Sequence, residues 1–399
     1  MRHSGYYACV RLQQLHLAGF RNYRRLALNL PVGNSIFCGD NGQGKSNLLE
    51  AVYLLATSRS FRTRADRELL NWDTAADAPG GAFARVAALI ERAGNGVRLD
   101  IVIAAVPDAE RKDVANGTAT RKQIMVNGVK RQPAELVGQL MVTLFSPADV
   151  DLVLGPPDLR RRYLDLTLSQ TDRAYFRALT SYQRVLAQRN SLLRMLREGH
   201  GRVEQLSFWN DELQRSAVYI LDHRVAAISR LSQLAAPNYQ SLSGDQATIG
   251  LRYVSSLDEQ PDASTGGTAE RYAAALQRIR AREVAAGMSL VGPHRDDLAF
   301  LLDGRPLAAA GSRGQLRLAT VALKLAEVAL MRELTGETPV LLLDDVLSEL
   351  DRRRRSLLLA SLASDQQVLI TATDLEAFSS DFLTRCRRYR VEAGTVTDD

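Results

Sequence analysis

The sequence is poor in cysteine and in histidine, and both shortages exclude whole classes of site. The three cysteines, Cys9, Cys38 and Cys386, are widely scattered among 399 residues. They form neither a disulfide framework nor a zinc-binding cluster, so a reducing compartment is expected. The five histidines show no spacing that is typical of metal ligands. Metal chemistry based on cysteine or histidine is therefore not predicted.

Long apolar runs are also missing. The longest candidate, residues 316–331, is interrupted by Lys324 and Glu327, so no membrane span is predicted. The first ten residues, MRHSGYYACV, lack the apolar block of a secretory signal. We therefore expect a cytoplasmic protein without a membrane partner.

The composition is that of an ordinary globular protein, with 46% hydrophobic and 24% charged residues. The formal net charge is +6 and the sequence pI is about 9.3. That excess is small for the length of the chain, so it permits a polyanionic partner but does not by itself predict one.

The strongest motif is GDNGQGKS, which fits the phosphate-loop pattern G-x-x-x-x-G-K-[ST] in full. Glycines let backbone N–H groups turn toward phosphate oxygens, the lysine places a cation on the β- and γ-phosphates, and the serine offers its hydroxyl to Mg²⁺. A chance glycine-rich turn is disfavoured, because a predicted strand (Asn34–Cys38) precedes the motif and a predicted helix (Lys45–Ala56) follows it. The predicted ATP-binding residues, hereafter the phosphate loop, are Gly39, Asp40, Asn41, Gly42, Gln43, Gly44, Lys45 and Ser46.

The second motif is VLLLDD, an apolar strand that ends in Asp344 and Asp345. If this strand lies beside the phosphate loop, Asp344 is expected to hold Mg²⁺ together with Ser46. Asp345 then acts as the base for the attacking water. The alternative is a core strand with an acidic turn. Most of the chain separates the two motifs, which is too far for a small kinase and fits ATPases that carry an insertion.

The third motif is GSRGQLRLA, directly ahead of a long apolar helix predicted at 315–334. Ser312 is a good helix N-cap, while Gly311 and Gly314 permit the close approach of another backbone. One interpretation is a capped, buried helix. The other is a second anion site, in which Ser312 meets the γ-phosphate of ATP held by a partner subunit. The order of the motifs favours the second, because it is the arrangement of an ABC-type head that sandwiches ATP between two protomers.

The spacing of apolar residues predicts an α/β protein whose core is split by a helical insertion. Residues 1–150 are expected to form the N-terminal half of a β-rich ATP-binding lobe, and residues 291–399 its C-terminal half. Residues 151–290 are expected to form a helical lobe, in which spacings of three and four over Leu179–Leu196 and Leu206–Ala227 predict an antiparallel hairpin. Each arm is predicted to hold about 30–35 residues.

Several spaced blocks resemble the RecF family of bacterial recombination-repair ATPases, which is related to the SMC and ABC families. The resemblance implies ATP-dependent homodimerisation, slow DNA-stimulated ATP hydrolysis, and binding to single-stranded and gapped DNA. It also implies work with RecO and RecR in recombinase loading, in replication recovery and in the SOS response. The matching blocks, besides the three motifs, are GFRNY (Gly19–Tyr23), RSFRT (Arg59–Thr63), residues 145–165 and GPHRDDL (Gly292–Leu298).

The chain departs from the wider ABC pattern at two positions. Asp345 stands where a glutamate is usual, which retains a base but shortens its reach. The strand that ends in TATD has no switch histidine, so Thr371 or Thr373 is left as the candidate for sensing the γ-phosphate. His294 in GPHRDDL is equally compatible with a catalytic role, with a structural polar network and with a contact next to the nucleotide.

Arginines cluster in three places, each of which is by itself most simply a solvated helix face. The resemblance favours phosphate contacts with DNA for some of them, and such binding weakens steeply with salt. The clusters are Arg59, Arg62, Arg64 and Arg67; Arg160–Arg162; and Arg352–Arg355. Two rival functions remain, an SMC-like chromosome-organising head and the ATP-binding subunit of a transporter.

Overall fold

The computed structural model describes residues 8–71, 82–106, 119–257, 266–362, 366–376 and 378–399. The chain divides into two units. The first combines residues up to Ala148 with Glu327–Asp399, and the second is Asp149–Ala326.

The strands are numbered along the chain. They are β1 (Ala8–Cys9), β2 (Arg11–Phe20), β3 (Tyr23–Asn29), β4 (Asn34–Cys38), β5 (Phe83–Arg92), β6 (Asn95–Val106), β7 (Ala119–Val126), β8 (Val129–Arg131), β9 (Val142–Phe145), β10 (Ile249–Val254), β11 (Asp297–Leu302), β12 (Arg305–Pro306), β13 (Glu337–Thr338), β14 (Val340–Asp344), β15 (Val368–Ala372), β16 (Cys386–Glu392) and β17 (Thr395–Asp398).

The α-helices are numbered in the same way. They are α1 (Lys45–Thr57), α2 (Pro133–Leu136), α3 (Asp151–Leu154), α4 (Pro157–Thr171), α5 (Arg173–Arg197), α6 (Leu206–Ser243), α7 (Thr268–Ala286), α8 (Leu307–Ala310), α9 (Arg313–Thr335), α10 (Arg352–Ala360) and α11 (Ser380–Leu383).

The first unit contains two six-stranded sheets. One has the order β17-β16-β4-β15-β14-β9, in which β17 alone runs antiparallel to its neighbour. The other is antiparallel, with the order β3-β2-β5-β6-β7-β8. Because the carboxyl ends of parallel strands meet at one edge of a sheet, the residues that follow β4, β14 and β15 are brought together there.

Helix α1 follows the phosphate loop and is buried in the core of the first unit. Leu48, Leu49, Val52 and Leu55, whose spacing predicted the helix, are fully buried. They belong to an apolar cluster with residues of both sheets, among them Leu15 and Leu342. This packing holds the first turn of α1 at the edge of the parallel sheet, where its N-terminal end faces the loop.

The second unit contains the predicted pair of long helices, but the two arms are unequal. Helix α5 has 25 residues and α6 has 38, against the predicted 30–35 for each. The unit also contains a three-stranded sheet, β10-β11-β12, that the periodicity did not predict. Of the predicted surface connection at 255–268, residues 258–265 lie outside the described residues, and Thr268 already begins α7.

Buried polar side chains join the helices of the second unit. Arg189 on α5 is fully buried and donates to Glu283 on α7, at 2.5 Å, and to Ser289, at 2.7 Å. Arg224 on α6 is also buried and donates to Asp165 on α4, at 2.7 Å. Fully buried charges are stable only when paired in this way. Among the described residues, no helix is both long enough and apolar enough to span a bilayer.

Candidate nucleotide site

The phosphate loop lies between β4 and α1 and borders a cavity of about 210 Å³. Six residues of the loop and the first turn of α1 line this cavity: Asn41, Gly42, Gly44, Lys45, Ser46 and Asn47. The other lining residues are Arg62, Asp345 and Thr371. The sequence therefore brings residues from four separate segments of the first unit to one small polar cavity.

Lys45 is held by the loop that precedes it. Its ammonium Nζ donates to the carbonyl oxygens of Gly39, at 2.5 Å, and of Asp40, at 2.8 Å. The side chain is buried, with 6% of its surface exposed. A cation fixed in this way, beside the N-terminal end of α1, makes the cavity suited to a polyanion.

Ser46, at the wall of the cavity, contacts Asp344 although the sequence separates them by 298 residues. The Ser46 hydroxyl donates to Asp344 Oδ1 at 2.7 Å, and the Thr371 hydroxyl donates to the same oxygen at 3.0 Å. Asp344 and Thr371 are neighbours in the parallel sheet, at the ends of β14 and β15. Hydroxyl and carboxylate oxygens are the donors that Mg²⁺ prefers, so these residues fit a magnesium ion.

Asp345 follows β14 in a left-handed backbone conformation, with φ of 52°. Its backbone N–H donates to the Thr371 hydroxyl at 2.9 Å. Burial raises the pKa of the Asp345 carboxyl above its ordinary value, and the Lys45 ammonium partly opposes that rise. A carboxylate with a raised pKa at the wall of the cavity is a suitable proton acceptor.

The GFRNY block lies against the outer side of the phosphate loop. Asn22 donates from its side-chain amide to the Gln43 carbonyl at 2.8 Å, and the Tyr23 hydroxyl donates to the Gly44 carbonyl at 3.1 Å. Burial raises the pKa of the Tyr23 hydroxyl above its ordinary value, so this group remains a donor. The block therefore supports the loop from behind, a role that its sequence alone did not indicate.

The RSFRT block is attached to the same site through the buried side chain of Glu50, which also pairs with Arg21. Arg21 binds both carboxylate oxygens of Glu50, at 2.8 and 2.9 Å, and the Ser60 hydroxyl donates to Glu50 as well. Ser60 in turn accepts from the backbone N–H of Arg62, at 2.9 Å. These contacts place Arg62 at the cavity, where it donates to Asn47 at 2.6 Å.

Arg62 is thus a second cation of the nucleotide cavity that sequence reasoning had assigned only to a basic cluster. In the sequence, RSFRT follows closely after α1, and this proximity was the one indication that Arg62 could reach the cavity. It does not predict the bond between Ser60 and Glu50, which directs the segment back toward the loop.

Ser312 lies in the second unit, at the N-terminal end of α9. It is exposed, its backbone N–H donates to Gln315 Oε1 at 2.8 Å, and its hydroxyl accepts from the Gln315 N–H at 3.3 Å. This reciprocal pair is a capping box. Gly314 has only the Ser312 hydroxyl within 4 Å of the position of a Cβ atom, so another backbone has room to approach.

The basic clusters separate into structural and exposed arginines. Arg160 is buried and binds Asp297, at 2.6 and 2.8 Å, so it is a structural residue. Arg355 donates to the carbonyls of Leu347 and Leu350. In contrast, six arginines of the clusters are exposed to solvent, among them Arg59, Arg67, Arg352 and Arg353.

The GPHRDDL block forms a polar network inside the second unit. His294 is hydrogen-bonded through Nδ1 to the Tyr182 hydroxyl, at 2.6 Å, and through Nε2 to the Ser289 carbonyl, at 3.2 Å. Burial lowers the pKa of His294 to about 4. Asp296 accepts hydrogen bonds from Tyr253 and Ser256. These contacts favour the structural interpretation of His294.

Comparisons with known proteins agree with this geometry. The family model for the RecF/RecN/SMC N terminal domain matches residues 11–394. The DNA replication and repair protein RecF of Chloroflexus aurantiacus is 47% identical over 391 residues, which cover 96% of this chain and 99% of that protein. The RecF of Roseiflexus castenholzii is 45% identical over 386 residues, which cover 95% of this chain and 98% of that protein.

Solved structures of RecF and of an Smc head are also similar to this chain. The structure of the recombination mediator protein RecF–ATP in the RecFOR pathway aligns over 100% of both chains, with a TM-score of 0.85 and 29% identity. An Smc head domain from Pyrococcus furiosus aligns over 97% of this chain and 95% of its own, with a TM-score of 0.52 and 15% identity, and so shows the fold alone. The chain therefore has the α/β fold of an SMC- and ABC-type ATPase head and belongs to the RecF family of DNA replication and repair proteins.

Proposed function

We propose that this chain binds ATP and Mg²⁺ at the phosphate loop and uses ATP as a switch for binding DNA during repair. The observation that carries the proposal is the 2.7 Å hydrogen bond between Ser46 and Asp344. It joins the two nucleotide motifs at a cavity that Lys45 and Asp345 also line. The solved structure of a RecF–ATP complex, 29% identical to this chain, supports the same ligand.

Each residue of the cavity has a distinct part in this proposal. Lys45 binds the β- and γ-phosphates, assisted by the backbone N–H groups of residues 39–46 and by Arg62. Ser46 and Asp344 would hold Mg²⁺, which offsets phosphate charge when it is bound. Asp345 accepts the proton of the attacking water. Ser312 of a second copy completes the site at the γ-phosphate.

The proposed switch is an ATP-dependent homodimer. Each protomer presents a phosphate loop and a Ser312 block, so a two-fold pair has two composite sites. The exposure of Ser312 at the N-terminal end of α9 supports this part, because the positive end of the helix dipole favours a phosphate there. Hydrolysis through Asp345 reopens the dimer and is expected to be slow and stimulated by DNA.

The proposed nucleic-acid partners are single-stranded and gapped DNA. The exposed arginines Arg59, Arg67, Arg352 and Arg353 are the candidates for contacts with phosphates, whereas Arg160 is excluded by its buried bonds to Asp297. Binding of this kind falls steeply with salt concentration. By its family, the protein is proposed to act in the cytoplasm with RecO and RecR in recombinase loading, replication recovery and SOS induction.

The rival functions receive less support. An SMC arm requires far longer helices than the 25 and 38 residues of α5 and α6. A transporter subunit requires a membrane partner and usually has a histidine at the switch position, where this chain has Thr371 and Thr373.

One set of measurements tests the proposal. ATP hydrolysis, self-association and DNA binding are measured with and without ATP for the wild type, Lys45→Arg and Asp345→Asn. Lys45→Arg is expected to lose ATP-dependent self-association and firm DNA binding. Asp345→Asn is expected to associate normally. Its rate of ATP hydrolysis should fall at least about 100-fold, because it lacks the base.

Asp303→Asn is a matched control for Asp345→Asn. Asp303 has nearly the same left-handed backbone, with φ of 49° against 52° for Asp345, but lies in the turn between β11 and β12. It should retain wild-type hydrolysis. If the wild type remains monomeric with ATP and does not bind DNA at low salt, the proposed switch is wrong.

A further inference from the structure

The tip of the C-terminal hairpin contacts the phosphate loop. Strands β16 and β17 are joined by the two-residue turn Ala393–Gly394. The Ala393 N–H donates to the Gln43 side-chain oxygen at 2.6 Å, and the Gly394 N–H donates to the Gln43 carbonyl at 3.0 Å. Both central N–H groups of this turn therefore bind one residue of the loop, across 350 residues of sequence.

The contact fixes the direction of a peptide group. The Gln43 carbonyl accepts from two donors on the outer side of the loop, Gly394 and the Asn22 side chain. A trans peptide is planar, and its N–H points opposite to its carbonyl. Holding the Gln43 carbonyl outward therefore directs the Gly44 N–H the other way, toward the cavity that Gly44 lines.

The hairpin is tightly packed against the loop and against Asn22. A Cβ atom on Gly394 would lie 2.3 Å from the Asn22 carbonyl oxygen, and one on Gly39 would lie 2.3 Å from the Val391 carbonyl oxygen. Strand β16 also pairs with β4 up to Cys38, the residue before the loop. The hairpin thus touches the start and the middle of the phosphate loop.

Another turn of the same unit shows that these contacts are not a property of the turn itself. Ala93–Gly94 joins β5 and β6 with the same dipeptide and nearly the same backbone, φ of 49° and 77° against 45° and 75°. A Cβ atom on Gly94 would meet no atom within 4 Å in the part of the chain that the structure describes. The two turns differ in their surroundings, because Gly394 lies against Asn22 and is bonded to Gln43 of the phosphate loop.

We propose that the C-terminal hairpin clamps the phosphate loop in its anion-binding conformation. Gln43, Gly394 and Asn22 are positioning residues that determine nucleotide affinity. The Gln43 side chain binds the turn rather than the nucleotide. This proposal rests on the proposed function, because it assumes that the loop binds ATP.

The test compares Gly394→Ala with Gly94→Ala. Both place alanine in the same left-handed backbone, so their backbone strain is matched, but only Gly394→Ala forces the turn away from Asn22. The Kd of a fluorescent ATP analogue is measured with Mg²⁺, together with the thermal unfolding midpoint and the ATPase rate at saturating ATP.

Gly394→Ala is expected to raise the Kd about tenfold over that of Gly94→Ala, with kcat at saturating ATP within about threefold, because the loop is misplaced and the catalytic carboxylate is not. Gln43→Ala keeps the backbone and removes one acceptor, and is expected to raise the Kd about threefold or more. It tests the clamp even if Gly394→Ala does not fold.

If the wild type binds the analogue while Gly394→Ala and Gly94→Ala bind it equally, or Gln43→Ala binds it as the wild type does, the clamp is wrong and the proposed function stands. If the wild type itself does not bind the analogue, both proposals are overturned.

Discussion

At the scale of single residues, the nucleotide cavity separates binding groups from a proton acceptor. Lys45 is held by two carbonyls, and Ser46 by Asp344. Asp345 differs, because its carboxyl has a pKa that burial raises and its backbone is left-handed. Strained or desolvated residues of this kind occur most often where chemistry takes place. The contrast supports the assignment of Asp345 as the base.

His294 provides a prediction about pH. Its pKa in the folded protein is about 4, against an ordinary value of 6.5. The unfolded chain therefore binds more protons between these two values, so stability falls as pH falls from about 6.5 to about 4. This single group is expected to cost about 2 kcal/mol between pH 7 and pH 5.

Urea unfolding of the wild type and of His294→Asn, at both pH values, checks this. Asparagine does not titrate, and its amide can still bond to Tyr182 or Ser289. The variant should lose about 2 kcal/mol less than the wild type on acidification. Equal losses would show that His294 is not buried as a neutral group.

The sequence predicted residues that the structure brings together where one local motif contains them. Lys45, Ser46 and the two aspartates at the end of β14 belong to such motifs. Arg62 was not predicted as a cavity residue, because its position depends on the Glu50–Ser60 contact. Asn22 acts on a loop 21 residues away, which only the folded chain reveals.

At the scale of elements, the helices of the second unit depend on buried ion pairs. Arg189 joins α5 to Glu283 on α7, and neither side chain has exposed surface. Ser289 and Asn210 accept hydrogen bonds from the other two guanidinium nitrogens, at 2.7 and 2.9 Å. Such a pair contributes little more to stability than apolar packing would, but removing one partner leaves an unpaired charge in the core.

We therefore predict that a single substitution in this pair lowers the free energy of unfolding more than the double substitution does. Arg189→Leu should lower the free energy of unfolding by about 3–5 kcal/mol, because Glu283 is left charged and buried. Arg189→Leu with Glu283→Leu should recover most of this loss. Urea denaturation measures both, and a double variant as unstable as the single one would contradict the explanation.

The unequal helical arms show the limit of periodicity. The apolar spacing correctly predicted two long helices but not their ends. Helix α5 begins only at Arg173, because the Asp172 side chain caps it by accepting from the Ala174 N–H at 2.7 Å. Helix α6 continues through Pro237, a residue that usually ends a helix. Ala235, Tyr239 and Leu242 are buried around it, so packing offsets the lost hydrogen bond.

At the scale of the whole molecule, the two ends of the chain build one unit. The Leu12 N–H donates to Gln367 at 2.7 Å, and the Gln367 amide donates to the Leu12 carbonyl at 2.9 Å. Strands β4, β14 and β15 are adjacent in one parallel sheet. The α/β class could be predicted, because apolar strands precede both nucleotide motifs. Strand order could not, because it is determined by pairing between distant segments.

The central claim is that half of each ATP site belongs to a second copy of the chain. Lys45→Arg disables the phosphate loop and leaves the Ser312 block intact. Ser312→Arg disables the Ser312 block and leaves the phosphate loop intact. In a mixed dimer of the two variants, one composite site has both an intact loop and an intact Ser312 block, although neither variant has such a site by itself.

The direct measurement is the ATPase rate of the two inactive variants, separately and mixed in equal amounts. If Ser312 acts across the dimer, mixing restores hydrolysis that neither variant has by itself, because each mixed dimer has one intact site. If the mixture is as inactive as its components while wild type is active, Ser312 does not complete the site of a second copy.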